Sequence, residues 1–337
     1  MRTLRLAALG ALVASAPATA QVVLNATSWV PPTHPITATM LVPLCEDIAK
    51  ATAGRVRCNV LPKAPVGAIQ TFDGVRDGLM DLSFTVHGYT PGRFVLTDAA
   101  EFPFMADTSE VMSVAYQRVH ERMLAKADEH KGVVALGVMT HGPGQIYHAT
   151  KPISSLADLR GQKIRVGGGL INDITKALGA VPLLRPAPEV FEILKTGVAD
   201  GVFFPKESVG SFKLTPVLKH ATFVPGGLYN VTFVWMANPA KWNSIPEADR
   251  NLIAPLLGEA LARRSGRAWD AADERGVQAM REGGLQIQTA GAPFMEEIRK
   301  ATEPLQQAWV DRARAKGVDG NAVLAALRDE IRKLAGR

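Results

Sequence analysis

The sequence predicts an α/β protein of two lobes with a long helix lying across both. Three observations lead there. From residue 22 onward, short apolar runs of strand character alternate with runs that carry helical spacing, a rhythm that belongs to sheets faced by helices. The rhythm restarts near residue 143, as a second unit would. Residues 246–283 hold a helical pattern with few breaks, and at ~1.5 Å per residue such a helix outruns one small lobe.

In chain order, residues 22–27 (VVLNAT) read as a first strand, and residues 29–35 (WVPPTHP) as a proline-rich turn. Residues 36–52 place apolar side chains at helical intervals, broken only by Pro43, and stop at Gly54. Residues 55–61 alternate as a second strand, residues 72–79 have helix character, and residues 81–85 form a third short strand. This order predicts a parallel-type sheet with ligands bound at the carboxyl ends of its strands. In the second unit Ser155 caps a helical turn over 156–159, Gly161 ends it, and Lys163–Val166 is a strand running into Gly167, Gly168 and Gly169. A helix over 172–178, a strand over 181–185, a helix over 189–196 and a strand at Gly201–Phe204 follow. Residues 231–236 are strongly β-prone, and helices over 295–316 and 322–334 close the chain. The expected division is 21–142 with about 231–269 for lobe I, and 143–230 with about 270–337 for lobe II.

Residues 1–20 are set apart. Arg2 and Arg5 make a positive start, residues 6–15 are apolar but too few to span a bilayer, and Ala18-Thr19-Ala20 is a small-x-small cleavage site. We read a secretory signal peptide and an exported mature protein. Its removal lowers the net charge from +6 to +4. A composition of 47% hydrophobic and 21% charged residues excludes disorder, and the 30 Gly and 22 Pro follow no repeat that would mark a fibrous chain. In an oxidising compartment Cys45, on the first helix, and Cys58, on the strand after it, are placed to bridge; the alternative is two buried thiols packed as small hydrophobes.

Motif chemistry is mostly absent. The chain holds no GxSxG, HExxH, GxxxxGK[ST] or CxxC pattern, and its seven histidines have no metal-ligand spacing. No cofactor is expected. The glycine run after residue 166 lacks the third glycine of a dinucleotide loop, since position 172 is Asn. Basic residues are interleaved with acids, which argues against a nucleic-acid surface.

Residues 151–166 (KPISSLADLRGQKIRV), residues 188–201 (PEVFEILKTGVADG), the segment FDGVRDG at 72–78 with DLS at 81–83, residues 88–94 (GYTPGRF) and residues 101–104 (EFPF) occur in that order. Together they resemble the solute-binding proteins of tripartite ATP-independent periplasmic (TRAP) transporters, the DctP type. The resemblance implies a two-lobed, Venus-flytrap binding protein of the periplasm that closes on a small organic acid and delivers it to a small and a large membrane subunit driven by an ion gradient. It also implies that Arg165, the arginine of the KIRV strand, grips a substrate carboxylate. A guanidinium suits that role, being permanently charged and shaped as a planar fork.

Two departures from the family pattern bear on the ligand. Where many members carry a further arginine before the KPI segment, this chain has Gln145, and where an asparagine commonly follows the DG pair it has Phe203 and Phe204. A second ligand carboxylate would have no counter-charge there, so the expected ligand is a monocarboxylate with an apolar or aromatic body. Trp29, Phe72, Tyr89, Phe203 and Phe204 are candidate walls, with His34 beside Trp29 in the same loop; His87 and Tyr89 are candidate donors, Glu207 either accepts from a ligand hydroxyl or pairs internally with Lys206 or Arg165, and Tyr229 and Asn230 are weaker candidates. The alternatives are a binding protein serving another importer or a sensor, and a hydrolase or lyase using His87, Tyr89 and Glu207 as acid–base groups.

Overall fold

The computed structural model of the protein describes residues 21–336; the expected signal peptide lies outside them. Eleven strands form two sheets. The first sheet has the order β2-β1-β3-β10-β4, from β1 (Val22–Ala26), β2 (Val56–Val60), β3 (Leu82–Val86), β4 (Val134–Thr140) and β10 (Thr232–Ala237). The second has the order β11-β9-β5-β8-β6-β7, from β5 (Gln145–His148), β6 (Lys163–Val166), β7 (Val181–Leu184), β8 (Gly201–Phe204), β9 (His220–Phe223) and β11 (Gln286–Thr289). The helices are α1 (Val42–Ala51), α2 (Thr71–Arg76), α3 (Ser109–Val119), α4 (Leu156–Leu159), α5 (Leu170–Ala177), α6 (Val190–Lys195), α7 (Glu207–Ser211), α8 (Pro239–Asn243), α9 (Glu247–Ile253), α10 (Glu259–Glu282), α11 (Ala292–Ala315) and α12 (Gly320–Leu334).

Local signals act where the residues place them. Ser155 caps α4, its hydroxyl accepting from the Asp158 N–H at 3.3 Å. Pro43 falls in the first turn of α1, where its missing N–H costs nothing, after residues Ile36–Leu41 wind as a wider π-type turn. Cys45 of α1 and Cys58 of β2 are bridged, with Cα atoms 5.4 Å apart across a separation of 13 residues, a tie worth about 3 kcal/mol against the unfolded chain.

Three expectations are corrected. The sheets are mixed: β10 runs antiparallel to both β3 and β4, and β5 antiparallel to both β8 and β9. Both are strands that enter a sheet directly after the chain has crossed from the other one, so no crossover helix sets their direction. The long helix is also shorter than its pattern. A turn at Ala254–Leu256 that contains Pro255, followed by Gly258 at φ +56°, cuts it to the 24 residues of α10. Finally, α12 packs on α3 beside the first sheet, although residues 270–337 were expected with the second lobe.

Two segments, 141–144 and 224–231, carry the chain between the sheets side by side. The Gly144 N–H donates to the Tyr229 carbonyl at 2.8 Å, and the Leu228 N–H to the Gly144 carbonyl at 2.9 Å. A β-carbon on Gly144 would stand 2.1 Å from the Tyr229 ring, so only glycine lets the crossing pack this way. Helix α10 presents Leu261, Ser265, Trp269, Ala272, Gly276 and Met280 inward and packs on both α3 and α7. The first sits beside the first sheet and the second follows a strand of the second sheet, so α10 does lie across both lobes.

Candidate functional site

Between the ends of the two sheets lies a cavity with about 430 Å³ of atom-free space, lined by both crossing segments, the ends of β3, β6 and β8, and α10. Arg165 reaches it from the interior of β6: the strand is exposed only at its first residue, Lys163, and the next three are buried, Arg165 being 2% exposed. Its guanidinium lies over the Phe204 ring, 4.4 Å from the centroid, and its Nε donates to the Arg185 carbonyl at 2.9 Å. Tyr89 stands beside it, the hydroxyl accepting from the Ala187 N–H at 2.9 Å. The nearby Glu189 pairs with Arg185 at 3.7 Å instead, and no acid among the described residues forms an ion pair with Arg165. Burial pulls the Arg165 pKa down from its ordinary value, yet a guanidinium starts so high that it stays charged. The result is a buried cation with an aromatic floor and no protein counter-ion.

The walls are aromatic. Trp29 is held by its Nε1–H to the Phe84 carbonyl at 3.1 Å and leans on Tyr89 at 5.5 Å between centroids. Phe204 stacks on Phe212 at 5.7 Å and 7°. His141 meets Tyr229 edge-on at 5.2 Å, and Phe233 meets Trp269 at 5.6 Å. Burial pushes His141 down to about 4, so its imidazole is neutral, and burial raises both Tyr89 and Tyr229, which remain hydroxyl-bearing. Away from the arginine, His34 Nε2 lies 3.4 Å from Glu207 Oε1.

The expected site residues divide. Trp29, His34, Tyr89, Arg165, Phe204 and Glu207 come together around this cavity. Phe203 does not, because it is next to Phe204 on one strand and faces the opposite way, into the core with Ile146. Phe72 packs edge-on to Phe94 at 5.6 Å beneath the Arg93 guanidinium. His87 is tied into a buried histidine cluster, its Nε2 2.8 Å from His130 Nε2 with His120 beyond. It does not line the cavity that Tyr89 and Glu207 share, and the acid–base trio of the hydrolase alternative is not assembled there. Gln145 is buried but engaged elsewhere: its Nε2 donates to the Pro143 carbonyl at 2.9 Å and its Oε1 accepts from the Val224 N–H at 2.5 Å, which ties the two crossing segments together. Asn230 likewise donates to the His141 carbonyl at 2.9 Å.

His141, Phe212, Phe233 and Trp269 escaped the sequence reading, and Tyr229 counted only as a weak candidate. The signal available for His141 was its place before the Gly142-Pro143-Gly144 turn, a natural crossing point. Nothing local distinguishes Trp269 from the other inward residues of α10.

The profile of DctP, bacterial extracellular solute-binding protein, family 7, matches residues 26–312. A TRAP periplasmic solute-binding protein from Bordetella bronchiseptica, solved with bound (R)- and (S)-mandelate, is 46% identical with a TM-score of 0.91, covering 93% of this chain and 99% of that one. A marine-metagenome TRAP solute-binding protein specific for aromatic acids, solved with 3-hydroxybenzoate, is 33% identical with a TM-score of 0.87, again covering 93% and 99%. The outer membrane transporter protein TsaT of Comamonas testosteroni is 28% identical over 318 residues, 93% of this chain and 94% of that protein. The proteins of this family bind a solute and hand it to transport components; they do not transform it. With its profile match spanning most of the chain and two-lobed TRAP proteins as its structural neighbours, this chain belongs to the DctP family of bacterial extracellular solute-binding proteins.

Proposed function

We propose that this chain is exported by its N-terminal signal, captures a small aromatic monocarboxylate in the periplasm, and delivers it to the small and large membrane subunits of an ion-gradient-driven TRAP importer. One observation carries the ligand class: Arg165 is the sole Lys or Arg among the described residues lining the cavity, and the remaining wall is mostly apolar, with seven Phe, Trp and Tyr rings among it. One cation matches one carboxylate. A second carboxylate would be buried without a partner, at a cost of several kcal/mol. The Gln145 amide that replaces the expected second arginine is already spent on backbone groups. The mandelate- and hydroxybenzoate-bound relatives support the same reading.

The mechanism follows from the two-lobed shape. The acid docks on Arg165 in the second lobe while the first is swung away, and closure brings Trp29 and Tyr89 over the ring. Glycines permit the final approach: a β-carbon on Gly88, after β3, would stand 2.4 Å from the Gly168 carbonyl carbon, after β6. Water leaves, and the ion pair strengthens in the lower effective dielectric.

Calorimetric titration tests this directly. Mandelate or benzoate should bind at least about 100-fold more tightly than succinate, the cost of one unpaired buried carboxylate. Succinate binding as tightly as the aromatic acids would overturn the monocarboxylate reading.

A further inference from the structure

We propose that Glu207 and His34 form a second polar subsite that accepts a hydrogen bond from a ring hydroxyl of the ligand, so that the preferred ligands are hydroxylated aromatic acids. The inference rests on the aromatic-monocarboxylate reading and assigns the opposite pole of the same cavity. Glu207 opens α7 directly after β8, lines the cavity, and is 2% exposed. Its backbone N–H is fixed by Asp273 Oδ1 at 2.8 Å, which anchors the residue to α10.

The carboxylate is only half used. Oε1 has the Ser208 hydroxyl at 3.2 Å and His34 Nε2 at 3.4 Å. The His34 tautomer is set by the backbone: Nδ1 accepts from the Ile36 N–H at 3.2 Å, which leaves Nε2 to carry the proton toward Glu207. Oε2 is buried and has no hydrogen-bond partner. The adjacent Lys206 does not neutralise the group; its ammonium lies over the Phe223 ring at 5.0 Å. An unpartnered carboxylate oxygen in such surroundings is costly until a donor reaches it.

That donor is a hydroxyl distinct from the group held by Arg165. Glu207 makes no ion pair with Arg165, and His141 stands within electrostatic reach of both, drawn toward protonation by the carboxylate and away from it by the guanidinium. An acid anchored at Arg165 therefore meets Glu207 with another part of its body. The stretch between the two poles is aromatic, through Phe204, Phe212 and His141, so a ring is the body that spans it. A site built to accept a hydroxyl rejects the analogue lacking it, because its own buried group is then left unpaired.

The experiment is a calorimetric titration of the whole mature protein with two matched sets: benzoate against 3-hydroxybenzoate, and phenylacetate against 3- and 4-hydroxyphenylacetate. The wild type should bind the hydroxylated member of at least one set at least about 10-fold more tightly. Glu207→Met, which keeps the side-chain length and removes the acceptor, should erase that preference, so that the hydroxylated member loses its advantage over the parent acid. Equal affinities within every set on the wild type, or an equal loss of both members in a Glu207→Met protein that melts normally, overturns the subsite. The wild-type comparison decides by itself if the variant does not fold. If no member of either set binds, the aromatic-acid reading falls and takes the subsite with it; binding without discrimination sinks the subsite alone.

Discussion

Arg165 is 2% exposed, has Phe204 beneath it and pairs with no carboxylate, whereas Arg118 on α3 is 33% exposed and saturated, its Nε 2.8 Å from Glu259 and its Nη1 3.0 Å from Glu330. Burial lowers the pKa of the first; hydrogen bonds to two acids raise that of the second. The same side chain thus serves two purposes. Where the fold needs an arginine for architecture, here to clasp α3, α10 and α12, it supplies the acids. At Arg165, for which we propose a ligand, the fold supplies no acid, and the group is desolvated in advance of any partner. A buried charge without a counter-ion is a standing cost, so its persistence is itself an argument for a ligand.

The contrast can be broken most severely at Arg165. Arg165→Ala should lower affinity for the bound acid by at least about 100-fold, since the ligand carboxylate would be buried alone. Calorimetry reads this, and an unchanged affinity would remove Arg165 from the site. Arg165→Lys should recover only part of the loss, because an ammonium lacks the planar fork and the stacking on Phe204.

A third buried charge sharpens the comparison. Glu101 accepts from the Leu170 N–H at 2.9 Å, the Thr232 N–H at 3.0 Å and the Thr232 hydroxyl at 2.7 Å, tying the start of α5 to β10. Burial dominates these bonds and pushes its carboxyl up from 4.5 to about 7, and it pushes the neighbouring Asp98 up as well. A raised folded value means that the folded state holds the proton more tightly. Its stabilising contribution is complete below the unfolded value of 4.5 and is lost as pH rises through about 7. The unliganded protein should therefore lose up to about 3 kcal/mol between pH 5 and pH 8. Glu101→Gln should flatten that slope in thermal melts, and an undiminished slope in the variant would place the titration elsewhere.

Smaller effects separate floor from frame. Phe204→Asn should weaken aromatic acids about 10-fold by removing the stacked ring under the guanidinium, with short aliphatic acids less affected; an unchanged ligand ranking would argue against Phe204 as the floor. Arg118→Ala should leave the affinity where it was and lower stability by about 1 kcal/mol or less, solvent screening limiting these half-exposed pairs. A loss of binding in that variant would mean that the α3–α10 clasp and the site are coupled.

Much of this protein was legible residue by residue. The strands at 22, 56, 163 and 201, the Ser155 cap, the glycine stops and the placement of Cys45 beside Cys58 all follow from signals confined to a few neighbouring residues, where propensity and capping act. Arg165 could be singled out because it sits inside a recognisable local segment. Only the tertiary structure decided the rest. Strand direction for β5 and β10 depended on how the chain crosses between sheets, and α10 was shortened by a Pro–Gly turn that the helical pattern reads through. Alternation says that Phe203 and Phe204 face opposite ways, but not which way the cavity lies. The cavity wall gathers Trp29, Tyr89, His141, Arg165, Tyr229 and Trp269 from six distant stretches. Such convergence is set by packing of whole sheets and a shared helix, to which no local window has access.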